Sequence, residues 1–316
     1  MIFAFPGQGS QFIGMGQSLY TEFPIARQVF DEVDNILNRK LSNIIFHSSL
    51  QELTNTENAQ PAIMVVSIAM FRTMEYIYGR SLFSNFNIKY VCGHSVGEYT
   101  ALCASGALTL EDTVKLLQVR SIAMSEASAK AQGGMIALLG VAIEKIEQIL
   151  KLENMNGILY EISNDNGAGQ VVISGTIENL HKLPDILREI SIKKLIKLQV
   201  SGPFHSSLMK PADNTILEYL HDIKISSPIV PCISNVTAQA ENDPHTLKVL
   251  LAKQILSRVR WREMVIYMKN HGINTLVEIG PKRVLSHLVK RIDSSIKTIN
   301  IENVNDMKDF FNELII

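Results

Sequence analysis

The pentapeptide GHSVG at residues 93–97 constrains the fold of this chain more than any other feature. It matches the pattern G-x-S-x-G, with a short apolar stretch before it and a helical pattern after it. Two glycines between a strand and a helix allow a turn sharp enough to project Ser95 from the end of the strand. The helix start also offers unpaired amides and a favourable dipole to an oxyanion. The pattern predicts an α/β fold with a nucleophilic serine, the alternative being a structural turn with a capping serine.

The domain organisation follows from changes in hydrophobic periodicity. The 316 residues suffice for about two folding units, and the pattern changes near residue 129 and again near residue 200. The segment between these points is predicted to contain strands at 135–141, 158–164, 170–174 and 194–200, and helices at 143–150 and 177–190. This βαββαβ order is that of a ferredoxin-like unit. We expect an inserted domain at 129–200 and a larger α/β domain formed by 1–128 and 201–316.

Composition indicates the cellular setting. A formal net charge of −1, with 46% hydrophobic and 19% charged residues, gives no argument for nucleic acid or a membrane surface as a partner. The longest apolar run, 62–71, is far shorter than the ~20 residues that span a bilayer. The N-terminus lacks a basic leader, and three scattered cysteines fit a reducing compartment without suggesting a metal site. We therefore expect a soluble, cytoplasmic monomer.

A nucleophilic serine needs a base, which is usually histidine. His94 adjoins Ser95, but neighbouring side chains in a tight turn point apart. His205 follows a strand and a Gly-Pro turn, in a loop that could hold it over the serine. The other six histidines lie in charged or amphipathic stretches: His47, His181, His221, His245, His271 and His287. Position alone leaves His205 as one candidate among these.

Four separated motifs occur in one order: FPGQGSQ at 5–11, GHSVGEY at 93–99, GAGQVV at 167–172 and GPFH at 202–205. Together they resemble the malonyl-CoA:acyl carrier protein transacylases of fatty acid synthesis and the related acyltransferase domains of polyketide synthases. The resemblance runs essentially end to end. It implies an α/β-hydrolase-like large domain with an inserted ferredoxin-like domain, and it implies no metal or redox cofactor.

The resemblance also implies roles for individual residues. Ser95 would be the nucleophile and His205 its base. The main-chain carbonyl of Gln254 would orient the histidine, although an ordinary polar residue on a helix would look the same in the sequence. The amides of Gln8 and Val96 would form the oxyanion hole.

Arg120 carries the prediction of the acyl group. It lies in an apolar helix, where the sequence alone also allows a solvated or snorkelling arginine. The resemblance implies that it binds the free carboxylate of the substrate, a task suited to a planar bidentate donor. Val96 after the serine and Phe204 before the histidine resemble the residues of malonyl-selective rather than methylmalonyl-selective enzymes.

The predicted reaction is a ping-pong transfer of malonyl from malonyl-CoA to the phosphopantetheine of an acyl carrier protein. Because the carrier proteins of such systems are acidic, a basic rim is expected, and its candidates are Lys282, Arg283, Lys290 and Arg291, unless they are only a solvated helix face. One alternative is an esterase or thioesterase with Asp185 or Glu189 as the triad acid. The other is a carrier-docking module that lacks chemistry.

Overall fold

The computed structural model describes residues 1–79, 82–155, 157, 159–188 and 190–315, with side chains as far as residue 312. In this part of the chain the strands are β1 Ile2–Phe5, β2 Tyr90–Gly93, β3 Gly133–Leu139, β4 Tyr160–Asp165, β5 Gln170–Thr176, β6 Lys194–Lys197, β7 Cys232–Ile233, β8 Ala240–Glu241, β9 Thr275–Ile279 and β10 Lys297–Ile301. The α-helices are α1 Gln17–Glu22, α2 Pro24–Leu37, α3 Leu41–His47, α4 Leu50–Thr54, α5 Thr56–Tyr78, α6 Leu82–Asn85, α7 Val96–Ala104, α8 Leu110–Ala131, α9 Ile143–Met155, α10 Ile177–Ile186, α11 Lys210–Asp222, α12 Pro244–Gln254, α13 Trp261–Asn270, α14 Val284–Ile292 and α15 Val304–Ile315. A 3-10 turn at Ser207–Met209 precedes α11.

The larger sheet has the order β10-β9-β1-β2-β7-β8 and is parallel except for its last pair. Its central strand β1 is wholly buried, as expected for a strand covered by helices on both faces. The carboxyl ends of β1 and β2 meet at one edge, because Phe5 pairs with Gly93. Ligands of open α/β sheets bind at such an edge, so this register places the glycine-rich loop beside the serine turn.

The smaller sheet is antiparallel with the order β4-β5-β3-β6. Its elements follow the chain order βαββαβ, with α9 and α10 packed on the sheet over a separate apolar core. The smaller sheet is bonded to a segment outside both sheets: Asp165 N donates to Val259 O at 2.9 Å, and Val259 N donates to Ser163 O at 2.8 Å. The end of β4 is thereby bonded to the loop that follows α12.

Helix α5 packs behind the large sheet and is buried along most of its length. It starts at Thr56, so Pro61 lies within the helix and not in its first turn. A proline cannot donate to the carbonyl four residues earlier, here that of Glu57. The Nη2 of Arg39 donates to that carbonyl at 2.9 Å, so the acceptor does not lack a partner.

Element boundaries differ from the sequence predictions by a few residues. Strand β6 ends at Lys197 instead of residue 200, and α7 starts at Val96, directly after the serine. The first residue of the strand predicted at 158–164 lies outside the described residues. Among the residues that the structure describes, no helix is both long and apolar enough to cross a membrane.

Candidate active site

The serine turn joins β2 to α7 in a conformation that the native contacts must enforce. Ser95 has φ 53° and ψ −106°, which is strained for a residue with a side chain. Its N–H donates to Asn235 Oδ1 at 2.7 Å, and Asn235 Nδ2 donates to Gly93 O at 2.7 Å. Asn235 thus links both sides of the turn and stabilises the projection of the serine side chain.

Glycines bring the turn against the loop after β1. A Cβ on Gly97 would lie 2.0 Å from Phe5 O, and one on Gly7 would lie 2.3 Å from His94 O. Only a residue without a side chain permits such backbone contact. The amide groups of Gln8 and Val96 therefore lie in adjoining loops, and neither N–H has a hydrogen-bond partner among the described residues. Two such free donors are suited to an oxyanion.

The structure brings Ser95 and His205 together over 110 positions of sequence, with Ser95 Oγ 2.8 Å from His205 Nε2. The Nδ1 of His205 lies 2.9 Å from Gln254 O and 3.1 Å from Ser257 O. Both partners of Nδ1 can only accept, so Nδ1 carries the proton. Nε2 is consequently free to accept the hydroxyl proton of Ser95, as a general base must.

The environment of His205 favours its neutral form. Burial, followed by the nearby positive charge of Arg120, lowers the pKa of His205 to about 3. Neutral imidazole is the form that can accept a proton. The histidine is therefore in its neutral, proton-accepting form throughout the neutral pH range.

Arg120 is fully buried and reaches the same point from α8. Its Nη1 donates to Gln60 Oε1 at 2.7 Å, and its Nη2 contacts Ser95 Oγ at 3.0 Å and Gln254 Oε1 at 3.1 Å. Its Nε has no partner among the described residues. The guanidinium also lies over the Tyr99 ring, 5.2 Å from the centroid. The alternative interpretation of Arg120 as a solvated or snorkelling residue is thus wrong.

No carboxylate lies within ion-pair distance of Arg120 in the part of the chain that the structure describes. All three of its hydrogen-bond acceptors are neutral oxygens. Burial of a cation without a contacting counterion is costly, and an incoming anion would relieve that cost. The arrangement therefore suits a substrate with a free carboxylate.

A cavity of about 410 Å³ opens beside Ser95, between the two sheets. Gln8, Ser95 and Arg120 line its inner part, and Phe204, only 5% exposed, lines the wall. Helix α14 lines its mouth through residues that include Leu288 and Arg291. The cavity is large enough for an acyl group and part of a thioester carrier, and it has one anion-binding centre at its base.

Asp185 has no contact with this site, and among the described residues His205 is the one histidine that is hydrogen-bonded to Ser95. The Asp185 side chain is 74% exposed and pairs with Arg188, whereas the Nδ1 of His205 already has two carbonyl partners. Glu189 lies outside the described residues. His94 lines the same cavity, but its Nε2 contacts Asn166 Oδ1 at 2.9 Å and not Ser95. Among the described residues no cluster of histidine, cysteine, aspartate and glutamate could hold a metal ion.

Every residue named from the sequence for the acyl-transfer site thus lies at or beside the cavity. Sequence reasoning missed Gln60 and Asn235. Gln60 is a polar residue within an apolar helix, and Asn235 lies two residues after the end of a short buried strand. Their positions indicated a functional role only weakly, because a single glutamine or asparagine in a sequence does not reveal which distant group it contacts.

Comparisons with known proteins agree with this geometry. The family profile described as "Acyl transferase domain" matches residues 2–309. The chain is 41% identical over 301 residues to the malonyl CoA-acyl carrier protein transacylase of Bacillus subtilis strain 168, covering 95% of this chain and 93% of that protein. It is 34% identical over 300 residues to the enzyme of the same name from Haemophilus influenzae, covering 95% and 94%.

Solved structures give the same result. The acyl-carrier-protein S-malonyltransferase of Bartonella henselae superposes with a TM-score of 0.94 at 43% identity, covering 100% of this chain and 99% of that one. A malonyl-transacylase solved in complex with a type II polyketide synthase acyl carrier protein superposes with a TM-score of 0.92 at 31% identity, covering 99% of both chains. The chain belongs to the acyl transferase family, among the malonyl CoA-acyl carrier protein transacylases.

Proposed function

We propose that this enzyme transfers malonyl from malonyl-CoA to the phosphopantetheine thiol of an acyl carrier protein, for fatty acid synthesis. The observation that carries the proposal is the buried Arg120 guanidinium, 3.0 Å from Ser95 Oγ and without a carboxylate partner among the described residues. A malonyl thioester has its carbonyl carbon and its free carboxylate two bonds apart. One molecule can therefore present the first to Ser95 and the second to Arg120.

In the first half-reaction, Ser95 Oγ attacks the thioester carbonyl carbon while His205 Nε2 takes the hydroxyl proton. The amides of Gln8 and Val96 would donate to the resulting oxyanion, and each donor is worth about 3 kcal/mol in such sites. When the carbon–sulfur bond breaks, the proton on Nε2 passes to the CoA sulfur. The product is a malonyl ester on Ser95.

In the second half-reaction, the phosphopantetheine thiol gives its proton to His205 Nε2 and its sulfur attacks the ester carbon. The same oxyanion donors act again. The carbon–oxygen bond breaks, and the proton returns to Ser95 Oγ. Gln254 would hold the imidazole through its main-chain oxygen in both halves, 2.9 Å from Nδ1.

Phe204 is proposed to set the preference for an unsubstituted acyl group. Its side chain is 5% exposed on the cavity wall, and its main-chain oxygen accepts from Ser174 Oγ at 2.7 Å. Burial of the ring and the hydrogen bond to the main chain both restrict the movement of Phe204. A methyl group on the α-carbon of the substrate would meet this wall, which favours malonyl over methylmalonyl.

We assign the large sheet and its helices, residues 1–128 and 201–316, to an α/β-hydrolase-like domain. Residues 129–200 are proposed as an inserted ferredoxin-like domain, supported by the βαββαβ order and the strand order β4-β5-β3-β6. The cytoplasmic location and the monomeric state stay predictions from the sequence.

The carrier protein is proposed to dock at the mouth of the cavity. Lys282, Arg283, Lys290 and Arg291 are all exposed on or just before α14, which lines that mouth. Arg291 Nη1 also contacts Gln170 Oε1 at 3.2 Å, across to the smaller sheet. Cations around the entrance would attract an acidic partner and orient its phosphopantetheine arm.

The function is tested by intact-mass spectrometry after brief incubation with malonyl-CoA, followed by addition of holo carrier protein. We expect a malonyl adduct on Ser95 that moves to the carrier, and no adduct on a Ser95→Ala variant. Rapid release of free malonate without acylation of the carrier would instead identify a thioesterase. Failure to form any adduct would support the docking module without chemistry.

A further inference from the structure

We propose that Glu98 is a positioning residue that holds the side-chain amide of Gln254 with its oxygen towards Arg120, and thereby sets the selectivity for a carboxylated acyl group. The inference rests on the proposed function, and it adds to that function a residue outside the acyl-binding cavity. Glu98 lies in the first turn of α7, three positions after Ser95, and is 1% exposed.

The carboxylate of Glu98 has specific partners. Its Oε2 accepts from Gln254 Nε2 at 2.6 Å and from the main-chain N–H of Asn235 at 3.2 Å. A buried carboxylate with a short charge-assisted hydrogen bond is a strong constraint on its donor. Glu98 is therefore bonded both to the residue that orients His205 and to the residue that stabilises the serine turn.

The hydrogen-bond network determines which way the Gln254 amide faces. Its Nε2 donates to Glu98 Oε2 and, at 3.1 Å, to the main-chain oxygen of Ser95. Both of these groups accept, and Arg120 can only donate. A flipped amide would place oxygen against two acceptors and its NH2 group against the guanidinium. The observed orientation, with Oε1 3.1 Å from Arg120 Nη2, is the one that satisfies every group.

Gln254 therefore acts through two separate groups, its main-chain oxygen and its side-chain amide. Its main-chain oxygen, at the end of α12, accepts from His205 Nδ1, and its side-chain oxygen accepts from the Nη2 that also contacts Ser95 Oγ. Of these two groups, Glu98 contacts only the side-chain amide. Loss of Glu98 should therefore disturb Arg120 more than His205, which separates acyl selectivity from base catalysis.

The contact of Glu98 with Gln254 Nε2 requires a hydrogen-bond acceptor at position 98 and does not require a full negative charge. Burial raises the pKa of Glu98 to about 7, against the opposing effects of its hydrogen bonds and of Arg120. A neutral carboxyl still has a carbonyl oxygen for Gln254 Nε2. Glutamine in place of Glu98 offers a carbonyl acceptor in nearly the same volume, so it should preserve the hydrogen bond to Gln254 Nε2.

The test compares Ser95 acylation by malonyl-CoA and by acetyl-CoA in the wild type, Glu98→Ala, Glu98→Gln and Gln254→Ala. For Glu98→Ala we expect kcat/KM for malonyl to fall about 10- to 100-fold, as for loss of one buried hydrogen-bonded contact, and for acetyl by less than about threefold. Glu98→Gln should stay within about threefold of the wild type for both substrates. Gln254→Ala, which keeps the main-chain oxygen, should reproduce the loss of selectivity.

A double variant gives the sharpest readout. If Glu98 acts through Gln254, Glu98→Ala combined with Gln254→Ala should have the malonyl-to-acetyl ratio of Gln254→Ala alone. Additive losses, equal losses for both acyl groups, or a Glu98→Gln variant as impaired as Glu98→Ala would overturn the proposal. If Glu98→Ala fails to fold, an unchanged ratio in Gln254→Ala overturns it. A wild-type enzyme that forms no malonyl adduct would instead refute the proposed function, independently of these variants.

Discussion

The Nη2 of Arg120 lies 3.0 Å from the Oγ of Ser95, so the buried cation of α8 and the side chain of the serine turn meet at one point. The two residues are 25 positions apart: Ser95 is the N-cap of α7, and Arg120 lies within α8. Because this contact is short, only a compact acyl group can bridge the serine and the guanidinium. The contact thus explains the chemical class of the substrate by distance as well as by charge.

Removal of either member of the Ser95–His205 pair should abolish acyl transfer by different routes. Ser95→Ala should leave no site for the adduct, and His205→Ala should slow adduct formation by about 100-fold or more, because a general base is lost. Quenched-flow mass spectrometry of the malonyl adduct measures both. His94→Ala is the control histidine, and an equal effect on the rate from His94→Ala would contradict the assignment of the base.

Arg120→Ala should reverse the acyl selectivity. We expect kcat/KM for malonyl-CoA to fall about 100-fold or more, because a charge-assisted contact to the substrate carboxylate is lost, while acetyl-CoA keeps much of its rate. Arg120→Lys should recover malonyl transfer only partly, since an ammonium cannot form the bidentate contact. Parallel losses for both acyl groups would show that Arg120 is structural.

The pH profile of acylation should lack the acid limb of an ordinary histidine. With the pKa of His205 lowered to about 3 by burial and by Arg120, the base stays neutral when the pH falls through the usual value of 6.5. Single-turnover acylation should therefore stay nearly constant from about pH 8 to about pH 5. Any change near pH 7 that disappears in Glu98→Gln belongs to Glu98. A limb centred near 6.5 in both proteins would contradict the burial of a neutral His205.

The same pKa has a consequence for stability. Below pH 6.5 the unfolded chain takes up a proton at His205 that the folded protein does not bind. The free energy of unfolding should therefore decline as the pH falls from 6.5, and this decline should be smaller in His205→Leu. Urea denaturation at several pH values measures the difference, and identical slopes for the two proteins would contradict it.

Gly97→Ala should destabilise the protein strongly, because the added Cβ would lie 2.0 Å from Phe5 O. The serine turn and the loop after β1 would have to separate, at a cost of about 3 kcal/mol or more. Gly134→Ala is the matched control, since its Cβ would meet Leu180 Cδ1 at an ordinary 3.6 Å. Thermal unfolding compares the two variants, and equal melting temperatures would refute the close approach of the loops.

Lys290→Glu should weaken transfer to the carrier protein without affecting acylation by malonyl-CoA. Lys290 is exposed on α14 and precedes Arg291, which lines the cavity, and a reversed charge there should raise KM for an acidic carrier several-fold at low salt. Lys145→Glu, on the exposed face of α9, is the control. Equal effects of the two substitutions would mean that the basic residues of α14 are only a solvated helix face.

Much of the fold follows from local patterns. The strand before Gly93, the helix after Ser95 and the βαββαβ order between residues 133 and 197 depend on short-range periodicity and turn chemistry, which a single sequence displays. Errors concentrate at element ends, as for the strand predicted at 194–200, which ends at Lys197. Arg39, which donates to the Glu57 carbonyl in place of the N–H that Pro61 lacks, lies on a different segment and could not be predicted from local sequence.

Ser95 could be predicted as the nucleophile from local sequence, because two glycines around it encode a sharp turn within five residues. The family resemblance added His205, Arg120 and Gln254 as positions. How these groups meet is visible in the folded chain alone: Asn235 bonds the serine turn from 140 positions away, and Gln254 bonds Arg120 across 134 positions. Such contacts depend on strand order and burial, which position buried polar groups so that each finds a partner and leave Arg120 facing the cavity for an anion.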